Sequence, residues 1–526
     1  MKKKIIIIGA GPGGVQLAYY LEKNDIDYLV LEKNDAPGSF FKKMPIHRTL
    51  ISINKVYTGF DDPEVNMRYD WNSLLSDDNE VLFKHFSKDY FPSSDVLVDY
   101  MSEYCKVHDL KIAYNTNVKL INKNDVFEIE TDGETYYCEH LVVATGLHKS
   151  FIPKIKNIEY CKNYSDLTLD ASEYIEKRVL ILGKGNSAFE TADYLTPYAS
   201  LIHCLSPNPL QMAWESHFVG HLRAINNNFL DTYQLKSQNA VINGNIQDIE
   251  FRNGKYYVTV GYNNANSEVE ELVYDALINC TGFKFDTSIF HENVTPELSV
   301  QDKFPSQNSS WESTNVENLY FAGTITQIRD YKKSTSGFIH GFRYNSKCLY
   351  HILNKKINDK QWGSDPKKAV SSEGIGNKII ANVNRASSIW QQFGFIGHVA
   401  AINDDETFTY YYDVPVHYLH DNFTEFSSRY FVITLEYGDE IFKKAKNVFA
   451  VERVHKDDSD NAHLSAFLHP VVREYEAAKL VSTHHIIEDF ESKWDEEEVH
   501  TAPLIKYLKN QLAALEEAAE KQLTSQ

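Results

Sequence analysis

Cysteine is scarce in this chain and scattered where it occurs. The six residues, Cys105, Cys138, Cys161, Cys204, Cys280 and Cys348, never form Cys-x-x-Cys. That spacing excludes a local dithiol redox centre and a cysteine-built zinc site, and leaves the thiols as small buried hydrophobes in a reducing compartment. Long apolar runs are missing too: none approaches the roughly 18 residues of a membrane helix, so no membrane partner is expected. Positive charge is short, with 53 Lys and Arg against 73 Asp and Glu and a net charge of −20. Nucleic-acid binding needs clustered cations, so no such partner is expected. The opening Met1-Lys2-Lys3-Lys4 could introduce a secretion signal, but Ile5–Ile8 is too short an apolar stretch and runs into a glycine motif. It reads as a first strand. The final Lys521-Gln522-Leu523-Thr524-Ser525-Gln526 carries no retention tetrapeptide, so the expected location is cytoplasmic.

What is present is a glycine turn in a specific setting. Gly9-x-Gly11-x-x-Gly14 follows Ile5–Ile8 directly and opens a helix over Val15–Lys23. The first glycine permits the tight turn, the second lets a pyrophosphate approach the backbone, and the third lets helix and strand pack closely. Phosphates then meet free amides and the positive end of the helix dipole. Glu32 closes a second strand, Tyr28–Leu31, where its carboxylate can accept ribose hydroxyl protons. Gly9, Gly11, Pro12, Gly13, Gly14, Glu32 and the adjoining Lys33 are therefore candidate FAD-binding residues.

The pattern returns once. Val179–Leu182 leads into Gly183-Lys184-Gly185-Asn186-Ser187-Ala188, with Ala188 at the position that governs packing. Its second strand, Leu201–Leu205, ends in Ser206-Pro207 with no acid. A carboxylate there would repel the 2′-phosphate of NADPH, so NADPH is favoured over NADH, with Ser206 and His203 as the nearest polar groups. Gly183, Gly185, Asn186, Ser187 and Ser206 are the candidate NADPH residues. A second recurrence, Val142-Val143-Ala144-Thr145-Gly146 and Leu277-Ile278-Asn279-Cys280-Thr281-Gly282, nests one unit inside the other. Ala144, Thr145, Gly146 and Gly282 are counted as cofactor-binding. Facing flavin and nicotinamide sites supply the ring-to-ring geometry that hydride transfer needs.

The predicted architecture is α/β: two nested Rossmann-like dinucleotide-binding domains with a C-terminal α+β extension. The FAD domain spans 1–155 and resumes over 284–355, the NAD(P)H domain spans 156–283, and an accessory region spans 377–526. The polar stretch from Asn354 to about Gly376 reads as a linker. After Ala322-Gly323-Thr324, residues Lys332–Ile339 are expected to begin a helix that aims its amides at the flavin, making Gly323, Thr324, Ser336, Gly337 and Phe338 cofactor candidates. Thr407–Tyr412 and Tyr430–Leu435 are β-prone. From Ala502 onward Leu504, Tyr507, Leu508, Leu512 and Leu515 recur at helical spacing. His463, His469, His484, His485 and His500 fit no zinc spacing, so no metal is expected.

At this point the chain resembles the flavin-containing monooxygenase group of two-dinucleotide-fold flavoproteins. It resembles more closely the family of the endoplasmic-reticulum flavoprotein associated with degradation. The resemblance rests on Pro37–Phe41, Leu50–Lys55, Tyr69–Leu75, Asp89–Pro92, Gly220–Asn227, Leu230–Lys236 and Gly337–Arg343. It reaches the tail through Leu435–Gly438 and Leu468–Pro470. It implies that Ser39, Phe40 and Trp71 line the FAD site, that Asn115–Val118 meets the adenine, and that Asn72 sits beside the flavin ring. It implies an NAD(P)H-dependent monooxygenase acting on an amine or sulfur centre with O2 through a C4a-hydroperoxyflavin, with Asn72, Lys55 and Arg48 in a small-molecule substrate pocket. The monooxygenase fingerprint Phe-x-Gly-x-x-x-His is missing from Ile155–Ser165. Two alternatives therefore stay open: a reductase or oxidase serving a quinone, a disulfide or O2, and a flavin-stabilised interaction protein. A homo-oligomer is open as well.

Overall fold

The computed structural model describes residues 1–77, 81–445 and 447–524, with side chains at 439 and 514–524 left aside; Leu515 and the terminal Ser525-Gln526 lie outside this description. The chain forms two compact units. One comprises Met1–Val15, Tyr28–Asn54 and His85–Ser306, and the other Gln16–Asp27, Lys55–Lys84 and Gln307–Gln526.

The first unit is built around two large sheets. In one, strands run in the order Ile112–Ala113, Tyr28–Leu31, Lys2–Ile8, Thr135–Val143, Phe127–Thr131, Val118–Lys123. The first four pair in parallel and the last two add an antiparallel meander. Ile5, Ile6 and Ile7 are fully buried, as expected of a parallel strand covered on both faces. The second sheet is built alike: Val269–Tyr274, Lys255–Tyr262, Ala240–Arg252, Leu201–Ser206, Arg178–Leu182, Ala276–Asn279, Lys162–Asn163. Its parallel centre packs Val179, Ile181, Ala188, Phe189 and Ile202 into one core, and Met44 and Ile46 of the first repeat press against it.

The second unit carries an antiparallel sheet ordered Lys368–Ala369, Thr407–Pro415, Ile396–Ile402, Arg429–Glu436, His469–Glu476, Lys479–His485. Both β-prone runs lie in it. The helix Ala502–Thr524 buries Leu504, Leu508 and Leu512 completely, which bears out its spacing. Gly376 lets the helix Ser372–Val383 approach it: a Cβ there would stand 2.8 Å from Ile505. The α/β class with an α+β extension is the architecture read from the sequence.

Two local expectations need correction. The presumed linker is helical at both ends, since Ile339–Asn358 runs four residues past Asn354 and Ser372–Val383 starts before Gly376. Most of its polar residues lie in the largely exposed non-helical stretch 359–371 between the two helices. The helix expected from Lys332 begins at Ile339, with Phe338 as its cap. Lys332 has a left-handed φ of 57°, which interrupts helical progression, and the hydroxyls of Ser334 and Thr335 are held by Gln392.

Candidate functional site

The two glycine turns of the first unit can be compared bond by bond. In the first, the Gly9 amide donates to Leu31 O at 2.9 Å and the Ala144 amide to Ile8 O at 2.8 Å. In the second, the Gly183 amide donates to Leu205 O at 2.8 Å and the Cys280 amide to Leu182 O at 2.8 Å. Gly9 has φ +104°, and a Cβ on it would stand 2.9 Å from Ala144 O; Gly183 has φ +125°, and its Cβ would meet Cys280 O at 2.4 Å. Gly14 would drive a Cβ to 2.2 Å from Gly9 O, whereas Ala188 fills the same packing position while fully buried.

The middle glycines behave differently, and they test whether a pyrophosphate fits. A Cβ on Gly11 would find only Ala144 O at 3.9 Å, and one on Gly185 nothing within 4 Å. Nothing in the protein itself requires glycine at these two positions. A ligand pressed against the backbone does, so the residues present fit a dinucleotide at each turn.

Glu32 is 5% exposed and already engaged. Its Oε2 accepts from the Ala10 amide at 2.9 Å, and its Oε1 from the Asn34 amide at 3.0 Å and the Ser39 hydroxyl at 3.1 Å. The carboxylate thus fastens the turn. Thr116 donates its amide to Glu32 O at 2.8 Å, which brings the Asn115–Val118 segment alongside. Lys33 and Phe40 are exposed, the latter at 43%. Arg48 donates to Phe41 O at 2.6 Å and to the Asp95 carboxylate at 2.5 Å, so its guanidinium ties loop to helix. Gly146 and Gly282, each after its threonine, share positive φ values of 67° and 92°.

The second turn differs in charge. Lys184, 9% exposed, donates Nζ to Asn243 Oδ1, and burial pushes its amine down to about 8. Asn243 lies opposite Ser206 in the parallel register. Asn186 holds the Gly220–Asn226 segment, donating to His221 O at 2.9 Å and accepting from the Arg223 amide at 3.0 Å. Ser187 is half-buried beside it. His203, a sequence candidate for phosphate contact, is corrected: its Nδ1 pairs with the Tyr274 hydroxyl at 2.7 Å, and burial pushes it down to about 4, leaving it neutral.

In the second unit the segment carrying Trp71 and Asn72 is clamped. The Asp70 carboxylate accepts from the amides of Asn72 at 3.0 Å and Ser73 at 2.8 Å. Fully buried Arg343 donates to Asp70 O at 2.9 Å, Ser73 O at 2.8 Å and Met67 O at 2.8 Å. Asn72 is 1% exposed. Trp71 stacks on His340 at 4.3 Å, and His340 on Phe338 at 5.8 Å. Gly323 has a φ of 78° and starts a 3-10 turn; the Thr324 hydroxyl donates to Gly337 O at 3.3 Å. Asp330 is buried, with its carboxyl pushed up to about 7. Lys55 is exposed. Sequence reasoning missed the roles of Arg343, Gln392 and Lys184; Arg343 and Lys184 stood in quoted motifs, Gln392 in none.

A family model described as pyridine nucleotide-disulphide oxidoreductase matches residues 6–323, which include both turns. The chain belongs to the pyridine nucleotide-disulphide oxidoreductase family. FAD-dependent oxidoreductase domain-containing protein 2 of Mus musculus is 34% identical, covering 96% of this chain and 83% of that protein. This bears out the resemblance drawn from the sequence, and the chain is an FAD-dependent oxidoreductase. A bacillithiol disulfide reductase from Bacillus cereus shares the fold at 18% identity and TM-score 0.51, over 68% of this chain and 100% of that one. A flavin-containing monooxygenase from Stenotrophomonas maltophilia does so at 15% and 0.50, over 68% and 99%. Members of this structural group therefore include both disulfide reductases and monooxygenases. Among the described residues, no three His, Cys, Asp or Glu side chains gather as a metal site, and no helix is long and apolar enough to cross a membrane.

Proposed function

We propose that the chain takes electrons from NADPH into FAD and delivers them to an acceptor outside the polypeptide, with O2 and an amine- or sulfur-containing small molecule as the leading pair. The observation that carries this reading is the doubled turn: two backbone cradles with matching hydrogen bonds, each with a middle glycine that the protein itself does not need. Bound FAD would supply hydride and one-electron chemistry that no side chain has. The chain's own contribution is to hold pyrophosphates on the amides of the two turns and to fix the Trp71–Asn72 segment through Arg343. Asn72 and Lys55 keep the substrate-side roles that the resemblance implies, whereas Arg48 is better read as a loop brace.

An external acceptor is favoured because every cysteine is buried, and burial pushes the thiols of Cys105, Cys138, Cys161 and Cys280 up. Neutral, enclosed thiols are poor relays. A second reading, electron transfer to a quinone, a disulfide or O2 without oxygen insertion, is favoured by the missing fingerprint at Ile155–Ser165. The deciding experiment is a balance sheet on the FAD-loaded protein. NADPH consumed is compared with oxygen incorporated into amine and thioether probes and with hydrogen peroxide released. Incorporation matching NADPH supports the first reading; peroxide or reduced quinone in its place supports the second; flavin that NADPH never bleaches overturns both.

A further inference from the structure

The bond-by-bond match between the two turns sets up a comparison that composition alone cannot. Gly9 to Leu31 corresponds to Gly183 to Leu205, so Ala10 corresponds to Lys184 and Glu32 to Ser206. In the first turn the residue after the leading glycine offers its amide to a carboxylate closing the second strand. In the second turn that carboxylate is replaced by a hydroxyl, and the residue after the leading glycine carries an amine. A negative charge is lost at the strand end and a positive one appears on the turn beside it.

We propose that Lys184 recognises the 2′-phosphate of NADPH, with Ser206 and Asn243 at the same rim, and so makes the second turn selective for a 2′-phosphorylated adenosine. This rests on the reading above that the second turn holds a nicotinamide dinucleotide.

Several observations converge on it. Lys184 is nine-tenths buried and, among the described residues, pairs with no carboxylate; its one acceptor is the neutral amide oxygen of Asn243. An ammonium has three donors, so two remain for a ligand. A buried cation beside neutral groups is uncompensated, and an arriving phosphate supplies the missing charge. Asn243 pairs in register with Ser206, which places the amine at the strand end where the first turn keeps its ribose-facing acid. Ser206 donates to Asn208 O at only 3.3 Å, a long contact that a phosphate oxygen can replace. The competing imidazole of His203 is occupied by Tyr274.

The test is calorimetric titration of the FAD-loaded protein with 2′,5′-ADP and 5′-AMP. The wild type should prefer 2′,5′-ADP by about tenfold to a hundredfold, the range for a charge-assisted contact. Lys184→Met should abolish that preference and leave 5′-AMP affinity within about threefold, while Lys184→Arg should retain most of it. Should Lys184→Met lose its flavin or fold, Ser206→Glu provides an independent arm: restoring the acid should cost 2′,5′-ADP about tenfold and spare 5′-AMP. Equal weakening of both ligands by Lys184→Met, or an unchanged preference, overturns the assignment of Lys184. Binding of both ligands without preference in the wild type overturns the proposal while the function reading stands. If neither adenylate nor NADPH binds, the function reading fails with it.

Discussion

If the two turns serve two cofactors, a methyl group added to the leading glycine of each should disable one and spare the other. Gly9→Ala and Gly183→Ala are matched perturbations. Both sit at strongly positive φ, +104° and +125°, and in both the new Cβ faces a carbonyl of the neighbouring strand, at 2.9 Å and 2.4 Å. Holding a non-glycine residue in such a conformation costs about 1–3 kcal/mol. The opposing atom is backbone and cannot rotate away, so the turn must move instead. A displacement on the order of 1 Å carries the phosphate-binding amides with it, and misplacement of that size can weaken a positioned ligand by about 100-fold. Gly254→Ala is the control: it shares positive φ, at +76°, but a Cβ there meets nothing within 4 Å. Flavin content is read from visible absorbance against protein, and NADPH affinity from the concentration dependence of anaerobic bleaching. Gly9→Ala should emerge largely colourless. Gly183→Ala should keep its flavin and need about 100-fold more NADPH to reduce it, and Gly254→Ala should match the wild type in both. A yellow Gly9→Ala protein, or a Gly183→Ala protein bleached at wild-type NADPH concentrations, would refute the reasoning.

Further outcomes follow from individual side chains. Arg343→Met removes three buried charge-assisted bonds, strands the carbonyls of Asp70 and Ser73, and leaves Met67 O with only the long contact from Gln391 Nε2 at 3.3 Å. Urea unfolding should show a loss of about 3–5 kcal/mol, and a change below about 1 kcal/mol would show that the clamp is idle. Glu190 is raised to about 7 by burial, although its bond from the Tyr164 hydroxyl opposes the shift. The folded state therefore favours the protonated acid, and stability should decline as pH rises from about 4.3, the unfolded value, through about 7. Glu190→Gln should flatten that slope, stabilising the protein at pH 8 by about 1–2 kcal/mol after allowance for partial exposure and leaving pH 4 unchanged, as read by thermal unfolding at each pH. Lys184, held at about 8 by burial with only the Cys204 thiol acting in the other direction, should lose its charge as pH rises through that value in the free protein. NADP⁺ affinity should then fall between pH 7 and pH 9 while NAD⁺ affinity stays flat, and parallel falls would count against the lysine.

The parts of the fold that were legible are those where the backbone dictates the residue. Gly9 and Gly183 cannot carry a Cβ, and Ile5–Ile8 and Val179–Leu182 must be apolar because both faces of each strand are covered. Those constraints write themselves into the letters. The clamp around Trp71 and Asn72 does not. Arg343 bonds to carbonyls some 270 residues away in sequence, and a backbone carbonyl leaves no trace of its identity in the chain. Lys184 was visible as a letter, but its meaning depends on which residue it matches in the first repeat, and only the hydrogen-bond register reveals that. The helix start at Ile339 is not legible because the letters do not show that the hydroxyls of Ser334, Thr335 and Ser336 are engaged by Gln392, or that the Ser336 amide donates to Asp330.

The Gln392 side chain makes sense of a region from which the sequence disclosed no chemistry. It is fully buried, donating Nε2 to Ser336 Oγ at 3.0 Å and Asn345 Oδ1 at 2.6 Å, while Oε1 accepts from the Ser334 hydroxyl at 3.0 Å and the Thr335 amide at 3.3 Å. Next to it Gln391 donates to Arg68 O at 2.6 Å, and Arg68 in turn reaches Val383 O at 2.7 Å and stacks 4.6 Å from Trp390. The two adjacent glutamines thus hold, by separate arms, the segment carrying Trp71–Asn72 and the loop carrying Ser336–Phe338. Both segments are irregular backbone and have few ladder bonds of their own. A buried amide network in low dielectric is rigid only when every member is satisfied, and any gap is expensive. The accessory region therefore does more than append a sheet: it adds polar partners to two loops that Arg343 and Asp330 hold from the other side of the sequence. The resemblance to a flavoprotein family likewise extends past the dinucleotide folds, to Leu435–Gly438 and Leu468–Pro470, as fits a region that braces these two loops.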